Sequence, residues 1–308
     1  MKRSITIGTR GSQLALWQAE YVKKRLHSHF PDLEIALQII KTTGDKIQNR
    51  SLIGLGKGVF TKEIENALLD ETIDIAVHSM KDLPTGLPDG LCIAAIPGRE
   101  DPRDVLVSHL GHTLSELPTD ARVGTTSPRR RSQLLHLRSD LRVVDVRGNL
   151  DTRLRKLRET DLDALVLAAA GIKRLIGEKA ITAYFARDEM VPAVGQGALG
   201  VETREDDTWI KGVLNTINDC NSETEIIAER AMLREFGAGC QIPIGANAQL
   251  WGGQLALIGV VSSADGTQRV FEQLSGDGAD AVELGCALAE TLIRRGAGEI
   301  LNGNHNES

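Results

Sequence analysis

Through the first two-thirds of this chain, short apolar runs rich in β-branched residues alternate with segments whose apolar residues recur at helical spacing. A strand followed each time by a helix is carried back to the same end of a sheet, which predicts right-handed βαβ units on a mainly parallel sheet. Residues 4–7 read as a strand, and Ser12 as the cap of a helix along which Leu14, Trp17, Tyr21 and Leu26 recur. Residues 34–40 form a second strand, and Thr61 opens a helix through Ile64, Ala67 and Leu68. Residues 73–77 and 91–96 are the next two strands.

The run Pro97-Gly-Arg-Glu-Asp-Pro-Arg103 breaks this pattern and reads as a linker. Alternation then restarts with a strand at 122–124, a helix at 130–137, a strand at 141–146, a helix at 150–157 and a strand at 164–168. Residues 191–197 make a second Pro/Gly interruption. From residue 223 the texture changes to a helix (225–236), strands near 248–250 and 254–261, and a helix (279–293), with a frayed tail from Asn302. At 308 residues the chain exceeds a single core. The predicted fold class is α/β, with two doubly wound lobes and a smaller α+β C-terminal domain. Domain 1 takes residues 1–97 with 198–216, domain 2 takes 101–193, and domain 3 takes 220–308.

No apolar run approaches the roughly 20 residues that span a bilayer, and the first residues read as a strand and not as a signal peptide. Cys92, Cys220, Cys240 and Cys286 include no C-x-x-C pair, and the seven histidines cluster with none of them. Neither a zinc site nor a disulfide framework is expected, and the chain reads as cytoplasmic.

The formal net charge of −6 hides an asymmetry. Residues 121–160 hold ten Arg and one Lys against three Asp and one Glu, a local +7 in a chain that is otherwise acidic. A basic island of this kind points to an anionic ligand held locally. It lacks the Phe, Tyr or Trp that a single-stranded nucleic-acid binder would use for stacking. Three βα junctions repeat one design: Thr9-Arg-Gly-Ser12, Gly124-Thr-Thr-Ser-Pro-Arg-Arg-Arg131 and Arg147-Gly-Asn-Leu-Asp-Thr-Arg153. Free N–H groups at a helix start, hydroxyls and guanidinium forks together suit carboxylate or phosphate. Each alone also fits plain helix capping beside a solvated face. None is a P-loop, since Gly54-Leu-Gly-Lys-Gly58 lacks that spacing.

His78-Ser-Met-Lys-Asp-Leu-Pro84 follows a strand directly. Asp82 beside Lys81 can stay ionised and stabilise a cation or move a proton, or the two can be a turn ion pair; His78 reads as a hydrogen-bonded structural residue. Gly237-Ala-Gly-Cys-Gln-Ile-Pro-Ile-Gly245 displays Cys240 on a glycine-hinged loop after a helix, either as a nucleophile or as an ordinary loop thiol.

Taken together, these motifs resemble porphobilinogen deaminases. The resemblance rests on Asp74-Ile-Ala-Val-His-Ser-Met-Lys-Asp82, Arg99-Glu-Asp-Pro-Arg-Asp104, Gly124-Thr-Thr-Ser-Pro-Arg-Arg130, Arg147-Gly-Asn149, Pro192-Ala-Val-Gly-Gln-Gly-Ala198 and Gly239-Cys-Gln-Ile-Pro-Ile-Gly245. It implies three domains, the first two like the halves of type II periplasmic binding proteins. It also implies stepwise condensation of four porphobilinogen molecules, with loss of ammonia, onto a dipyrromethane cofactor held by a thioether to Cys240. Hydrolysis then frees hydroxymethylbilane for uroporphyrinogen III synthase.

By motif position the resemblance makes Asp82 the catalytic group, bridging pyrrole N–H groups. Lys81, Asp82, Thr125, Ser127, Arg129, Arg130 and Arg147 would hold the cofactor with Cys240. Arg10, Ser12, Lys57, Arg153, Arg174 and Gln196 would meet substrate or the growing chain. A monomer is implied, with no metal, nucleic acid or membrane partner. The sequence departs from the family pattern at Gln13, Ile53, Leu55 and Pro128. A bilobal anion-binding protein without catalysis is the alternative, and it has no use for Cys240.

Overall fold

The computed structural model describes residues 4–46, 60–237 and 242–306. In chain order the elements are β1 (Ser4–Thr9), α1 (Gln13–His29), β2 (Glu34–Ile39), α2 (Thr43–Lys46), α3 (Lys62–Leu69), β3 (Ile75–Ser79), β4 (Leu91–Ala95), β5 (Asp104–Ser108) and β6 (Arg122–Gly124). Then come α4 (Pro128–Leu137), β7 (Arg142–Val144), α5 (Leu150–Glu159), β8 (Ala164–Ala168), α6 (Ala169–Leu175), β9 (Ala183–Tyr184) and β10 (Leu199–Arg204). Last are α7 (Thr208–Asn215), α8 (Cys220–Glu235), β11 (Ile244–Trp251), β12 (Gln254–Ser262), β13 (Arg269–Asp277), α9 (Ala281–Leu292) and α10 (Gly298–Asn306). The chain divides into two compact units, residues 1–99 with 198–223 and residues 100–197 with 224–308.

In the first unit a five-stranded sheet runs β2-β1-β3-β10-β4. β1 pairs in parallel with β2 and β3, whereas β10 is antiparallel to both β3 and β4, so the sheet is mixed and not mainly parallel. On one face Ile5, Ile7, Ile75, Val77 and Val201 pack against Ala19, Val22 and Leu26 of α1. Burial of each such Ile or Leu contributes about 1.5–3 kcal/mol. The buried stripe of α1 is Ala15, Gln18, Ala19, Val22 and Leu26, one step round from the predicted stripe. Trp17 and Tyr21 instead stack on each other with centroids 5.4 Å apart. On the other face Ile64 and Leu68 of α3 cover Ile73, Ala76 and Leu91. β3 begins and ends two residues later than predicted, because Ser79 and His78 pair with Leu199 and Gly200.

The second unit holds a sheet of order β7-β6-β8-β5-β9 and a three-stranded sheet β11-β12-β13. β6 is parallel to β7 and β8, and β5 is antiparallel to β8 and β9. Both five-stranded sheets therefore have a parallel trio followed by a reversed strand. The trio arises from local βαβ crossovers. The reversed strand directly follows one of the two Pro/Gly interruptions, β5 the first and β10 the second. β5, β9, β10 and β13 are not in the sequence reading. In the three-stranded sheet, Ala246, Ala248, Leu255 and Leu257 pack on Ala228 and Met232 of α8 and on Leu288 and Leu292 of α9. Where a frayed tail was expected, α10 continues to Asn306. The fold class is α/β with two sheet lobes and a small α+β element.

Candidate active site

In the first unit Arg10, Ser12, Gln18, Phe60, His78, Ser79 and Asp82 line one small cavity. All but Gln18, which lies within α1, are placed at or beside an element end. Ser12 caps α1, its Oγ accepting from Ala15 N at 3.3 Å, so the first turn of a 17-residue helix faces the cavity with partial positive charge. Gln18 Nε2 donates to Ser79 Oγ at 2.7 Å. β3 ends in a 3-10 turn over Met80–Asp82 that is pinned where Met80 N donates to Ala198 O. Asp82 is exposed on that turn, and Lys81 is half-buried.

Arg10 is held in a fixed pose. Its Nε donates to Asp45 Oδ1 at 3.1 Å, and its Cζ lies 4.3 Å from the Phe60 ring centroid. Asp45 in turn accepts from Thr42 Oγ1 at 2.8 Å. Partial burial works to raise the Asp45 carboxyl, but the Arg10 and Thr42 bonds win and hold it below its usual range. Beneath the cavity, His78 Nε2 lies 2.9 Å from Glu202 Oε2.

In the second unit the two other predicted junctions form capped helix starts. Ser127 Oγ accepts from Arg130 N to cap α4, and Pro128 occupies the first turn, where its missing N–H costs nothing. Thr125 is buried, with its Oγ1 accepting from Ser127 N at 3.2 Å. Asn149 caps α5 through Thr152 N. Gly148 turns the chain there at φ 118°, and an added Cβ would stand 2.6 Å from Thr152 Cγ2. Arg147 stays 42% exposed, 4.0 Å from Asp145, and Arg153 Nε donates to Gly148 O at 2.9 Å.

Arg129 and Arg130 lie elsewhere than a ligand-facing role implies. Both guanidiniums are buried on Asp104 at the start of β5. Arg129 Nη1 donates to Asp104 Oδ2 and to Val191 O, both at 2.7 Å. Arg130 Nε donates to Asp104 Oδ1 at 2.9 Å, and its Nη2 to Gln196 Oε1 at 3.3 Å. Gln196, fully buried, donates from Nε2 to Pro102 O at 2.7 Å and Asp104 Oδ1 at 3.0 Å. Arg174 Nη2 donates to Gly197 O at 2.8 Å. Burial works to raise the Asp104 carboxyl, yet two guanidiniums and Gln196 hold it at about 2. Burial also pushes Arg129 down while Asp104 opposes it; from so high a starting value the guanidinium stays protonated.

The structure thus gathers Arg10, Ser12 and Asp82 around one cavity, with Lys81 beside Asp82, and Arg129, Arg130 and Gln196 around Asp104. Lys57, Cys240, Ile53 and Leu55 lie outside the described residues. The sequence reading missed Asp45, Asp104 and Glu202 as site-shaping groups. For Asp104 and Glu202 the signal was a carboxylate heading or ending an apolar run, as in Asp104-Val-Leu-Val107 and Val201-Glu-Thr203, which demands a buried partner; Asp45, in a polar stretch, carried no such signal.

Residues 5–212 match the porphobilinogen deaminase, dipyromethane cofactor binding domain, and residues 223–294 match the porphobilinogen deaminase C-terminal domain. Porphobilinogen deaminase of Syntrophomonas wolfei is 50% identical over 300 residues, covering 97% of this chain and 98% of the relative. That of Syntrophotalea carbinolica is 48% identical, covering 97% and 95%. Among solved structures, the methionine binding protein MetQ aligns with a TM-score of 0.43 at 15% identity, covering 70% of this chain and 89% of that one. No helix among the described residues is long and apolar enough to cross a membrane. With a family match over most of its length and relatives near half identity along nearly all of it, the chain belongs to the porphobilinogen deaminase family of enzymes.

Proposed function

We propose that this enzyme condenses four porphobilinogen molecules, one at a time and with release of ammonia, onto a dipyrromethane cofactor anchored by a thioether to Cys240. Hydrolysis then releases hydroxymethylbilane. The observation that carries the reading is Asp82, exposed on its 3-10 turn at the cavity it shares with Arg10 and the capped start of α1. A carboxylate there can accept from pyrrole N–H groups and stabilise the positive charge that develops as ammonia leaves. Arg10 and Ser12 grip the acetate and propionate groups of the incoming pyrrole.

The residues present fit a polycarboxylate cofactor: capped helix starts at Ser127 and Asn149, with the half-buried Arg147 beside the second. When bound, that group supplies the acceptor pyrrole carbon on which the chain grows. Ser127, Thr125, Arg147 and Lys81 hold its carboxylates. Arg129 and Arg130 share the single charge of Asp104, so their cluster keeps a net positive charge behind the α4 start, which draws a carboxylate to Ser127. Lys57, Arg153, Arg174 and Gln196 serve the elongating chain and its support. We further propose a cytoplasmic monomer with domains over 1–97 with 198–216, 101–193 and 220–308, handing its product to uroporphyrinogen III synthase.

Intact-mass measurement on denatured protein from a porphobilinogen-competent host tests the reading. The native chain should carry an adduct of two pyrrole units that Cys240→Ser abolishes. An unmodified native mass would sink the cofactor proposal.

A further inference from the structure

His78 lines the cavity beside Asp82 and also touches a fully buried carboxylate. Glu202 on β10 is 0% exposed and His78 is 5% exposed, and a third titratable group, Glu65 on α3, is 6% exposed. α3 packs over both β3 and β10, which brings Glu65 to the same side of the sheet. Glu202 Oε1 and Glu65 Oε1 are buried without a hydrogen-bond partner among the described residues. Well-packed apolar residues of similar volume would serve stability as well or better, so stability does not explain three ionisable groups here.

Burial pushes the Glu65 carboxyl up and the charge of Glu202 pushes it the same way, with Thr61 and His78 opposing only in part. Burial and the Glu202 charge thus both push Glu65 toward its neutral form. A carboxylate only accepts, so the His78 nitrogen 2.9 Å from Glu202 is the one placed to donate, and in the neutral imidazole the other nitrogen, Nδ1, is the acceptor. Other ionisable groups near the trio include Cys92 on β4, whose thiol burial pushes up so that it stays neutral, and Arg10 and Asp82, which line the same cavity as His78.

We propose that His78, oriented by Glu202, is the proton acceptor of this cavity. The proposal rests on the condensation reaction proposed above. In each addition the aminomethyl C–N bond of porphobilinogen breaks and its electron pair leaves with ammonia. One C–C bond forms to the acceptor pyrrole carbon. That carbon then loses its proton, and the C–H pair restores the aromatic ring. His78 Nδ1 takes this proton, Glu202 balances the imidazolium, and the proton passes to solvent before the next addition. Asp82 remains the partner of the pyrrole N–H groups throughout.

The test begins with the wild-type full chain labelled with 15N-histidine. The His78 ring, assigned by its loss in His78→Gln, should show the Nε2-protonated neutral tautomer; an Nδ1-protonated ring overturns the proposal without recourse to activity. In steady-state kinetics with porphobilinogen, His78→Gln should lower kcat by about 10²–10³ with KM changed less than about twofold. Glu202→Gln removes the charge that stabilises the imidazolium, so the acidic limb of the kcat profile should move to lower pH. A His78→Gln enzyme within about threefold of wild-type kcat, or an unmoved limb in Glu202→Gln, also overturns it. Should the wild type release no ammonia from porphobilinogen, the condensation reading fails while the tautomer measurement stands alone.

Discussion

Arg129 Nη1 donates a 2.7 Å hydrogen bond to Asp104 Oδ2 where the two side chains are only 4% and 0% exposed. Removing the carboxylate would leave two guanidiniums uncompensated in the interior. Asp104→Ala should therefore cost about 3–5 kcal/mol, the usual penalty for breaking a buried pair. The pH dependence has a definite sign. Asp104 is held at about 2, below its unfolded value, so its contribution is complete above about pH 4 and lost as pH falls through 2. The shift corresponds to about 2 kcal/mol. Urea melts of wild type and Asp104→Asn between pH 5 and 2 should converge by about that amount. Parallel curves would contradict the assignment.

Gly197 adjoins this cluster at φ 90°, and a Cβ there would lie 2.2 Å from Glu100 O. Neither the backbone angle nor the carbonyl can yield cheaply. Gly197→Ala should destabilise by about 2–4 kcal/mol. Gly212, inside α7 with open space around it, should behave in the opposite sense, Gly212→Ala adding about 0.5–1 kcal/mol. Differential scanning calorimetry of the two variants checks both signs.

Arg10 and Asp45 make a testable pair. Asp45 occupies the guanidinium fork that the proposed reaction needs for a substrate carboxylate, and the two side chains are 26% and 29% exposed. Partly exposed pairs contribute about 0–1 kcal/mol, which limits the effect of losing one to about fivefold. Asp45→Asn should lower KM for porphobilinogen by a factor within that limit, and the gain should shrink at high salt. A rise in KM would mean that Asp45 chiefly orients Arg10.

Local signals carried much of this architecture. Ser12, Ser127 and Asn149 each cap the helix their junction announces, because a cap depends on neighbours three residues away. The reversed strands β5 and β10 escaped notice because what makes them strands is pairing with β8 and β3, far off in sequence. For the same reason the sequence alone does not show what lies between the two adjacent arginines of the basic island. Charge counting registers Arg129 and Arg130, but only the fold places Asp104 between them. The buried stripe of α1 slipped by one position since Trp17 and Tyr21 satisfy each other by stacking while smaller Ala15 and Ala19 fit against the sheet.

Arg147 separates ligand binding from stability within the same basic island. Its side chain is 42% exposed and lies 4.0 Å from Asp145, so its loss should change stability by less than about 0.5 kcal/mol. In the proposed function it grips a cofactor carboxylate beside the capped start of α5. Arg147→Leu should accordingly melt like the wild type while its intact mass shows a reduced fraction of adduct-bearing chains. Asp104→Ala should lose stability first, with any loss of adduct following from it. A fully loaded Arg147→Leu protein would remove this residue from the cofactor site and leave Ser127, Thr125 and Lys81 to hold the carboxylates.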